Sequence, residues 1–210
     1  MVTLHHLNES RSFRVLWLLL EADIPHQVIW YQRDAVTHLA PPALKQIHPL
    51  GKSPVIELDG RVISESGAIV ELLIERFAPQ LRPAADTAAY AQYYEWIHFA
   101  ESSAMVPVLM RLFNSFETAA GTELRWLENY ANNEFSKVFD YVDQQLSDRR
   151  YIAGEQLTGA DFMIGWVLLL LQKRGMIDNR YPSIHRYLQT LLALPSLQKA
   201  LAQDNGPETE

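Results

Sequence analysis

The chain of 210 residues is long enough for one large domain or two modest ones, each with a buried core. Hydrophobic residues make up 48% of it and charged residues 20%, which is the balance of a folded globular protein and excludes a disordered one. The net charge of −7 argues against a nucleic-acid partner, and the absence of cysteine excludes disulfides, thiolate metal sites and a cysteine nucleophile.

No segment has the features of a secretory signal or a membrane span. Residues Met1–His6 lack a basic start and a long apolar stretch, and the longest apolar run, Ile164–Leu171, is too short to cross a bilayer. The adjacent His5 and His6 would point to opposite faces of a strand and could not chelate one ion together. We therefore expect a cytoplasmic protein with no metal site.

Strand and helix signals alternate over the first 78 residues. The segments Val2–His6 and Gln27–Tyr31 read as strands joined by a helix with apolar residues at helical spacing. Asp59-Gly60, between two runs rich in β-branched residues, predicts a two-residue hairpin turn. A helix follows from Ser66, so the predicted order of elements is βαβ and then ββα.

The rest of the chain reads as helix. We predict a linker over 79–86, an all-helical domain over 87–202 and a frayed polar tail over 203–210. Pro107 should bend or interrupt the first long helix of this domain. The segment Gly159–Arg174 is apolar around its whole circumference, which predicts a helix buried on all sides.

Ser10 follows the first predicted strand and opens the first predicted helix. A hydroxyl in this position could donate a hydrogen bond to a bound anion, beside the unpaired backbone N–H groups of a helix start. The same position suits a simple N-cap. Taken alone, the residue leaves both roles open.

Pro54 stands directly before the third predicted strand. The peptide bond before it could be cis, although the sequence does not fix the isomer. A cis bond would free the backbone amide and carbonyl of Val55 to pair with an extended peptide. Lys52 could then bind a carboxylate at one end of that peptide, or it could simply be solvated.

Glu65 and Ser66 open the third predicted helix. The helix start and the Ser66 hydroxyl suit a carboxylate, whereas Glu65 suits an ammonium group. Together they match the two charges of an α-amino acid head group. Capping of the helix is the alternative role.

Taken together, these features resemble the glutathione transferase family. The stretches Tyr31–Asp34 and Ala40–Pro54 are similar to a fungal and bacterial subgroup, and the similarity continues through Leu157–Asp161, so it covers essentially the whole chain. The resemblance implies a thioredoxin-like amino-terminal domain over 1–78, followed by the all-helical carboxyl-terminal domain. It also implies a role in detoxification and a homodimer.

The motif that contains Thr158 and Asp161 has a physical interpretation of its own. Thr158 as N-cap with Asp161 three residues later matches a capping box. In the family, this motif nucleates a buried helix of the second domain. Its role is therefore folding, not catalysis.

The resemblance assigns glutathione, as a co-substrate and not as a prosthetic group, to the first domain. It implies that Ser10 donates a hydrogen bond to the glutathione thiolate, with Ser12 as the competing hydroxyl. Ser10 is favoured because its spacing to Arg14 matches the Ser-x-x-x-Arg pattern of serine-type members. The implied binding residues are Lys52 for the glycine carboxylate, the Val55 backbone for the cysteinyl unit, and Glu65 and Ser66 for the γ-glutamyl head.

The implied function is conjugation of glutathione to small, largely apolar electrophiles. Met105, Leu109 and Phe113 recur at i+4 spacing and could line the electrophile pocket, although the same stripe is equally compatible with core packing. One alternative function is glutathione-dependent reduction of peroxides or disulfides. Another is a non-catalytic ligand carrier or scaffold with the same fold.

Overall fold

The computed structural model describes residues 1–206, which divide into two compact units. The first unit contains Met1–Arg82 together with the chain from Leu191 onward, and the second contains Pro83–Thr190. The boundary between Arg82 and Pro83 lies within the linker predicted over 79–86. The helical domain predicted over 87–202 is not continuous, however, because its last part belongs to the first unit.

The order of elements alternates between strand and helix in the first part of the chain and is helical thereafter. In chain order they are β1 (Val2–Leu7), α1 (Ser12–Glu21), β2 (His26–Tyr31), α2 (Leu44–Ile47), β3 (Val55–Leu58), β4 (Arg61–Ser64), α3 (Ser66–Phe77), a 3₁₀ turn (Pro79–Leu81), α4 (Ala88–Phe99), a π-helical turn (Ala100–Ala104), α5 (Met105–Ala119), α6 (Arg125–Gln145), α7 (Gly159–Lys173), α8 (Pro182–Leu192) and α9 (Pro195–Gln203). The βαβ and ββα order of a thioredoxin-like domain is confirmed.

The four strands of the first unit form one mixed sheet in the order β2-β1-β3-β4. Strand β1 runs parallel to β2 because α1 carries the chain back between them, and it runs antiparallel to β3. The turn between β3 and β4 has Asp59 at φ 52° and Gly60 at φ 74°. Both turn residues are left-handed, as the Asp-Gly signal predicts for a tight hairpin.

The end of the chain packs against the first unit. Helix α9 lies along α1, where the indole Nε1 of Trp17 donates a hydrogen bond to Ser196 Oγ at 3.1 Å. Beyond α9, the carbonyl of Asn205 accepts a hydrogen bond from Gln32 Nε2 at 2.7 Å. The frayed tail predicted over 203–210 is therefore wrong as far as residue 206, because these polar groups find partners, and its last four residues lie outside the described ones.

In the second unit, the first long helix is interrupted near its middle. Helix α4 passes through the π-helical turn Ala100–Ala104 into α5, in which Pro107 is the third residue. Proline lacks the N–H that would bond the carbonyl four residues earlier, and an irregular turn accommodates that missing bond. The interruption predicted at Pro107 is thus found just before it.

Helix α7 begins with a complete capping box formed by Thr158 and Asp161. The carboxylate of Asp161 accepts hydrogen bonds from the Thr158 N–H at 2.8 Å, the Ile152 N–H at 2.9 Å and the Tyr187 hydroxyl at 2.8 Å. Asp161 is fully buried, and most of α7 is buried with it, as its apolar circumference predicts. This carboxylate ties the start of α7 to a preceding loop and to α8.

No helix within residues 1–206 has both the length and the apolar composition needed to cross a membrane. In the same part of the chain, His, Asp and Glu side chains do not gather in groups of three or more that could hold a metal ion.

Candidate functional site

The three polar motifs of the first unit, those of Ser10, Pro54 and Glu65-Ser66, lie at one end of the sheet. His5 on β1 lies opposite Val55 on β3, and Val55 lies opposite Ser64 on β4. Strand β3 is antiparallel to both of its neighbours. Its start therefore lies at the same end of the sheet as the last residues of β1 and β4. The loop that carries Ser10 and the start of α3 therefore adjoin Pro54.

The loop between β1 and α1 is held in place by Arg33, the second residue after β2. The Arg33 Nε donates to the Asn8 carbonyl and its Nη2 donates to the Glu9 carbonyl, both at 3.2 Å. The Arg33 N–H in turn donates to Asn8 Oδ1 at 2.9 Å. Glu9 has φ 50°, a left-handed conformation that the loop imposes immediately before Ser10. The position of Ser10 is thus fixed before any ligand arrives.

Ser10 and Ser12 differ in the number of hydrogen-bond partners that their hydroxyls have. Ser12 is fully buried, and its Oγ lies 3.0 Å from His6 Nδ1, 3.1 Å from both the Leu7 nitrogen and carbonyl, and 2.9 Å from Ser10 Oγ. Ser10 Oγ accepts the N–H of Ser12, the first residue of α1, at 3.2 Å, although the N-cap position itself is occupied by Arg11. Ser10 Oγ has two hydrogen-bond contacts, whereas Ser12 Oγ has four, so Ser10 has more hydrogen-bonding capacity for a ligand and is the better candidate.

The start of α3 carries a buried hydroxyl and an exposed carboxylate. Ser66 is buried, and its Oγ accepts a hydrogen bond from Nη1 of the buried Arg14 at 3.0 Å. Glu65 is exposed and has φ 71°, an unfavourable backbone conformation of the kind that concentrates at binding sites. Neither side chain forms a capping hydrogen bond to the helix. Lys52 is exposed in the segment before β3.

The Ser53-Pro54 peptide bond is cis, but it does not produce a free edge at Val55. Val55 is fully buried and pairs with His5 on one side and with Ser64 on the other. The expectation of an unpaired backbone at Val55 is therefore wrong, because β3 is an inner strand. The Ser53 backbone, by contrast, forms no hydrogen bond within the described residues, while its Oγ donates to the His5 carbonyl at 2.8 Å.

The second unit contains a cavity of about 440 Å³ between its first long helix and α6. Small-molecule sites have volumes in this range. The lining residues are Phe99, Ser102, Ser103, Val106, Pro107, Met110, Tyr130, Glu134, Lys137, Val138 and Tyr141.

The predicted pocket stripe does not line this cavity. Met105 is a core residue with 2% exposure, Leu109 is half-buried, and Phe113 is 56% exposed. Val106 and Met110, one position further along the same helix, face the cavity instead. Periodicity identified an apolar helix but not which of its faces borders open space.

Two further residues lie near Ser10 through a contact that the sequence does not signal. The sequence singles out His6 only as one of two adjacent histidines that could not chelate one ion together, and Asp204 lies in the predicted frayed tail. His6 Nε2 lies 3.0 Å from the Asp204 carbonyl oxygen, which is 198 positions away in the chain. A contact of this span has no local pattern that could reveal it.

Comparison with known proteins matches both units to one family. The glutathione S-transferase N-terminal domain matches residues 10–76, and the glutathione S-transferase C-terminal domain matches residues 125–190. Glutathione S-transferase 3 of Schizosaccharomyces pombe is 31% identical over 217 residues, which cover 95% of this chain and 86% of the relative. A crystal structure of a glutathione S-transferase from Actinobacillus pleuropneumoniae has a TM-score of 0.83 at 32% identity, covering 98% of this chain and 94% of that one.

The similarity also reaches a protein of a different kind. Elongation factor 1-gamma of Danio rerio is 26% identical over 166 residues, which cover 77% of this chain but 36% of that protein. Activity must therefore be argued from the site and does not follow from similarity. The two family domains and the relatives matched over nearly the whole chain establish that this chain belongs to the glutathione S-transferase family.

Proposed function

We propose that the first unit binds glutathione at the sheet end around Ser10 and ionises its thiol for attack on a small, largely apolar electrophile. The observation that carries this proposal is the Ser10 hydroxyl, which its loop fixes at the sheet end and which has fewer hydrogen-bond partners than the Ser12 hydroxyl. The largely apolar character of the electrophile is proposed from the family resemblance; the cavity in the second unit combines aromatic and apolar residues with Ser102, Ser103, Glu134 and Lys137.

The energetic requirement is modest. A free thiol has a pKa of about 8.5, and lowering it by two units corresponds to about 2.7 kcal/mol in favour of the thiolate. One hydrogen bond to a charged group contributes about 1.5–3 kcal/mol. The start of α1 adds about 0.3–1 kcal/mol for an anion placed near it. Ser10 and the start of α1 together can therefore supply the free energy that lowers the thiol pKa by two units.

The chemical step needs no other group from the protein. The thiolate sulfur attacks the electrophilic carbon, a C–S bond forms, and the bond to the leaving group breaks with its electron pair going to that group. The thiol proton has already left to solvent. Ser10 stays a hydrogen-bond donor throughout and forms no covalent bond.

Glutathione is placed by the groups around Ser10. We propose that Glu65 and Ser66 hold the γ-glutamyl head and that Lys52 holds the glycine carboxylate. For the cysteinyl unit, the unpaired backbone of Ser53 is a better partner than that of Val55, which lies between two strands. Arg14 contributes by fixing the Ser66 hydroxyl.

The proposal is tested by titrating the protein with millimolar glutathione in a calorimeter and then assaying three acceptors. We expect a binding heat and formation of a conjugate from an aryl halide. Turnover of a hydroperoxide or a mixed disulfide alone would assign the thiolate to reduction instead. No binding heat and no thermal protection would overturn glutathione binding and favour a scaffold, the alternative that the elongation factor relative makes relevant.

Replacing Glu65 with Gln should weaken glutathione binding about ten-fold, because a charge-assisted contact to the γ-glutamyl ammonium group is lost. The matched control is Glu75→Gln, which removes the same charge from an exposed position on α3, the helix that Glu65 precedes. Calorimetry should give an unchanged Kd for this control.

A glutathione analogue without the α-amino group sharpens the Glu65 experiment. The wild-type protein should bind this analogue weakly, and Glu65→Gln should weaken it no further. An equal loss for both ligands would show that Glu65 acts on the fold of the site and not on the ammonium group.

Family resemblance also leads us to propose a homodimer that acts in detoxification in the cytoplasm. The dimer is tested by the sedimentation mass of the purified protein, which should be twice that of one chain.

A further inference from the structure

The residue directly before Ser10 has a backbone conformation that needs support from other parts of the chain. Glu9 has φ 50°, in the left-handed region that residues other than glycine seldom adopt. Such a conformation persists only where contacts from the surrounding structure hold it. Because Ser10 is the next residue in the chain, the contacts that hold Glu9 also set the position of the Ser10 hydroxyl.

Two side chains that are distant in the sequence bind the backbone of Glu9. The Glu9 carbonyl accepts a hydrogen bond from Arg33 Nη2 at 3.2 Å, and the Glu9 N–H donates to Asp204 Oδ2 at 3.3 Å. The carbonyl belongs to the peptide group that follows the Glu9 Cα, and the N–H belongs to the peptide group that precedes it. Since each of these planar groups is held separately, the φ and ψ angles between them are held as well.

Asp204 is fixed in turn by contacts at the end of the chain. It follows α9 directly, and its carbonyl oxygen lies 3.0 Å from Nε2 of the buried His6 on β1. The carbonyl of the next residue, Asn205, accepts a hydrogen bond from Gln32 Nε2 at 2.7 Å. The Asp204 side chain is 16% exposed, so water has little access to its contact with the Glu9 N–H.

We infer that Asp204 is a positioning residue for Ser10: its carboxylate holds the left-handed backbone of Glu9 and thereby fixes the hydroxyl that meets the glutathione sulfur. This inference rests on the proposed function, because Ser10 is the group that is positioned. It adds that ionisation of the bound thiol depends on a residue 195 positions from Glu9 in the chain. Asp204 acts through a hydrogen bond to the backbone and needs no contact with glutathione.

Two substitutions of Asp204 separate the effect of the hydrogen bond from that of the charge. Asp204→Asn and Asp204→Ala both remove the negative charge, but only Asn keeps a side-chain oxygen that can accept the Glu9 N–H. The test is the titration of the bound glutathione thiol, followed by the ultraviolet absorbance of the thiolate. The pKa of the thiol should be about 0.5–1 unit higher in Asp204→Ala, so that its thiolate fraction at the Asp204→Asn midpoint is about two- to five-fold lower.

The affinity for glutathione is measured on the same samples. The Kd should differ by less than about two-fold between the two variants, because the groups proposed to hold the two ends of the peptide are unchanged. Equal thiol titrations in Asp204→Ala and Asp204→Asn would overturn the inference, whether or not the Kd changes.

A Ser10→Ala background separates this inference from the proposed function. In that background Asp204→Ala and Asp204→Asn should titrate alike, because the hydrogen bond to Glu9 acts through Ser10. If Ser10→Ala alone leaves the thiol titration unchanged, the proposed function itself is wrong. If Ser10→Ala shifts the thiol but the two Asp204 variants titrate alike with Ser10 present, only the positioning role is overturned.

A measurement on the unaltered protein covers the case in which Asp204→Ala does not fold. Amide hydrogen exchange, followed by NMR on the ligand-free wild-type protein, should show the Glu9 N–H exchanging at least about ten-fold more slowly than in the unfolded chain. Exchange at the rate of the unfolded chain would show that Asp204 does not hold the Glu9 backbone, and the inference would be overturned.

Discussion

The Ser10→Ala variant should bind glutathione nearly as well as the wild-type protein but should ionise its thiol less. Removal of one hydrogen bond to the thiolate raises the pKa of the bound thiol by about one to two units. The rate of conjugation at neutral pH should therefore fall about 3- to 25-fold, in step with the thiolate fraction, with the loss in kcat/KM and little change in the Kd for glutathione. Thiolate absorbance and the aryl halide assay measure the two effects on the same samples.

The control for Ser10→Ala is Ser115→Ala in the second unit. The Ser115 hydroxyl is exposed and donates to the Leu112 carbonyl of its own helix, so its removal should leave both measurements unchanged. A titration of the bound thiol that is the same in Ser10→Ala and the wild type would refute the donor role. Ser12 would then be the next hydroxyl to test.

Local signals predicted those parts of the fold that depend on neighbouring residues. Asp59-Gly60 identified the hairpin because both residues tolerate positive φ, and the observed φ angles of 52° and 74° have that sign. The pair Thr158 and Asp161 predicted the start of α7 because a capping box is a short-range pattern. In both cases the deciding interaction spans only a few residues.

Predictions that depended on tertiary neighbours were less successful. Val55 was expected at a free edge, but the order of strands places β3 inside the sheet, and strand order is not written in one strand's sequence. The stripe from Met105 to Phe113 was correctly read as helical. Its two ends differ in burial because packing, not period, determines which face is covered.

In the candidate site, too, residues with a short-range signal could be predicted, and contacts that depend on tertiary packing could not. Ser10, Glu65 and Ser66 could be proposed because each stands at a helix start, where unpaired N–H groups favour polar ligands. The contact between His6 and the Asp204 carbonyl could not, because the two residues are 198 positions apart in the chain. This contact results from the packing of α9 on α1, which returns the chain to the sheet end.

The largest loss of stability should follow from Asp161→Ala. The buried carboxylate accepts hydrogen bonds from the Ile152 N–H, the Thr158 N–H and the Tyr187 hydroxyl, and the variant leaves these donors without an acceptor. Each unsatisfied buried group costs about 1–3 kcal/mol, so we expect a loss of about 3–5 kcal/mol and a Tm lower by about 6–20 °C. Asp148→Ala, at an exposed position, should change Tm by less than about 2 °C. A similar Tm for both variants would contradict this role.

The ionisation of Asp161 gives this stability a defined pH dependence. Burial raises the pKa of Asp161 to about 6, although the hydrogen bonds from Ile152, Thr158 and Tyr187 act to lower it. Because the pKa is higher in the folded than in the unfolded chain, the associated stability is fully present below about pH 4 and is lost as pH rises through about 6. Asp161→Asn cannot titrate, so the free energy of unfolding of the wild type relative to this variant should fall by about 2–3 kcal/mol between pH 4 and pH 7. Urea unfolding of both proteins across this range measures the difference, and a constant difference would show that Asp161 is ionised throughout because its hydrogen bonds outweigh its burial.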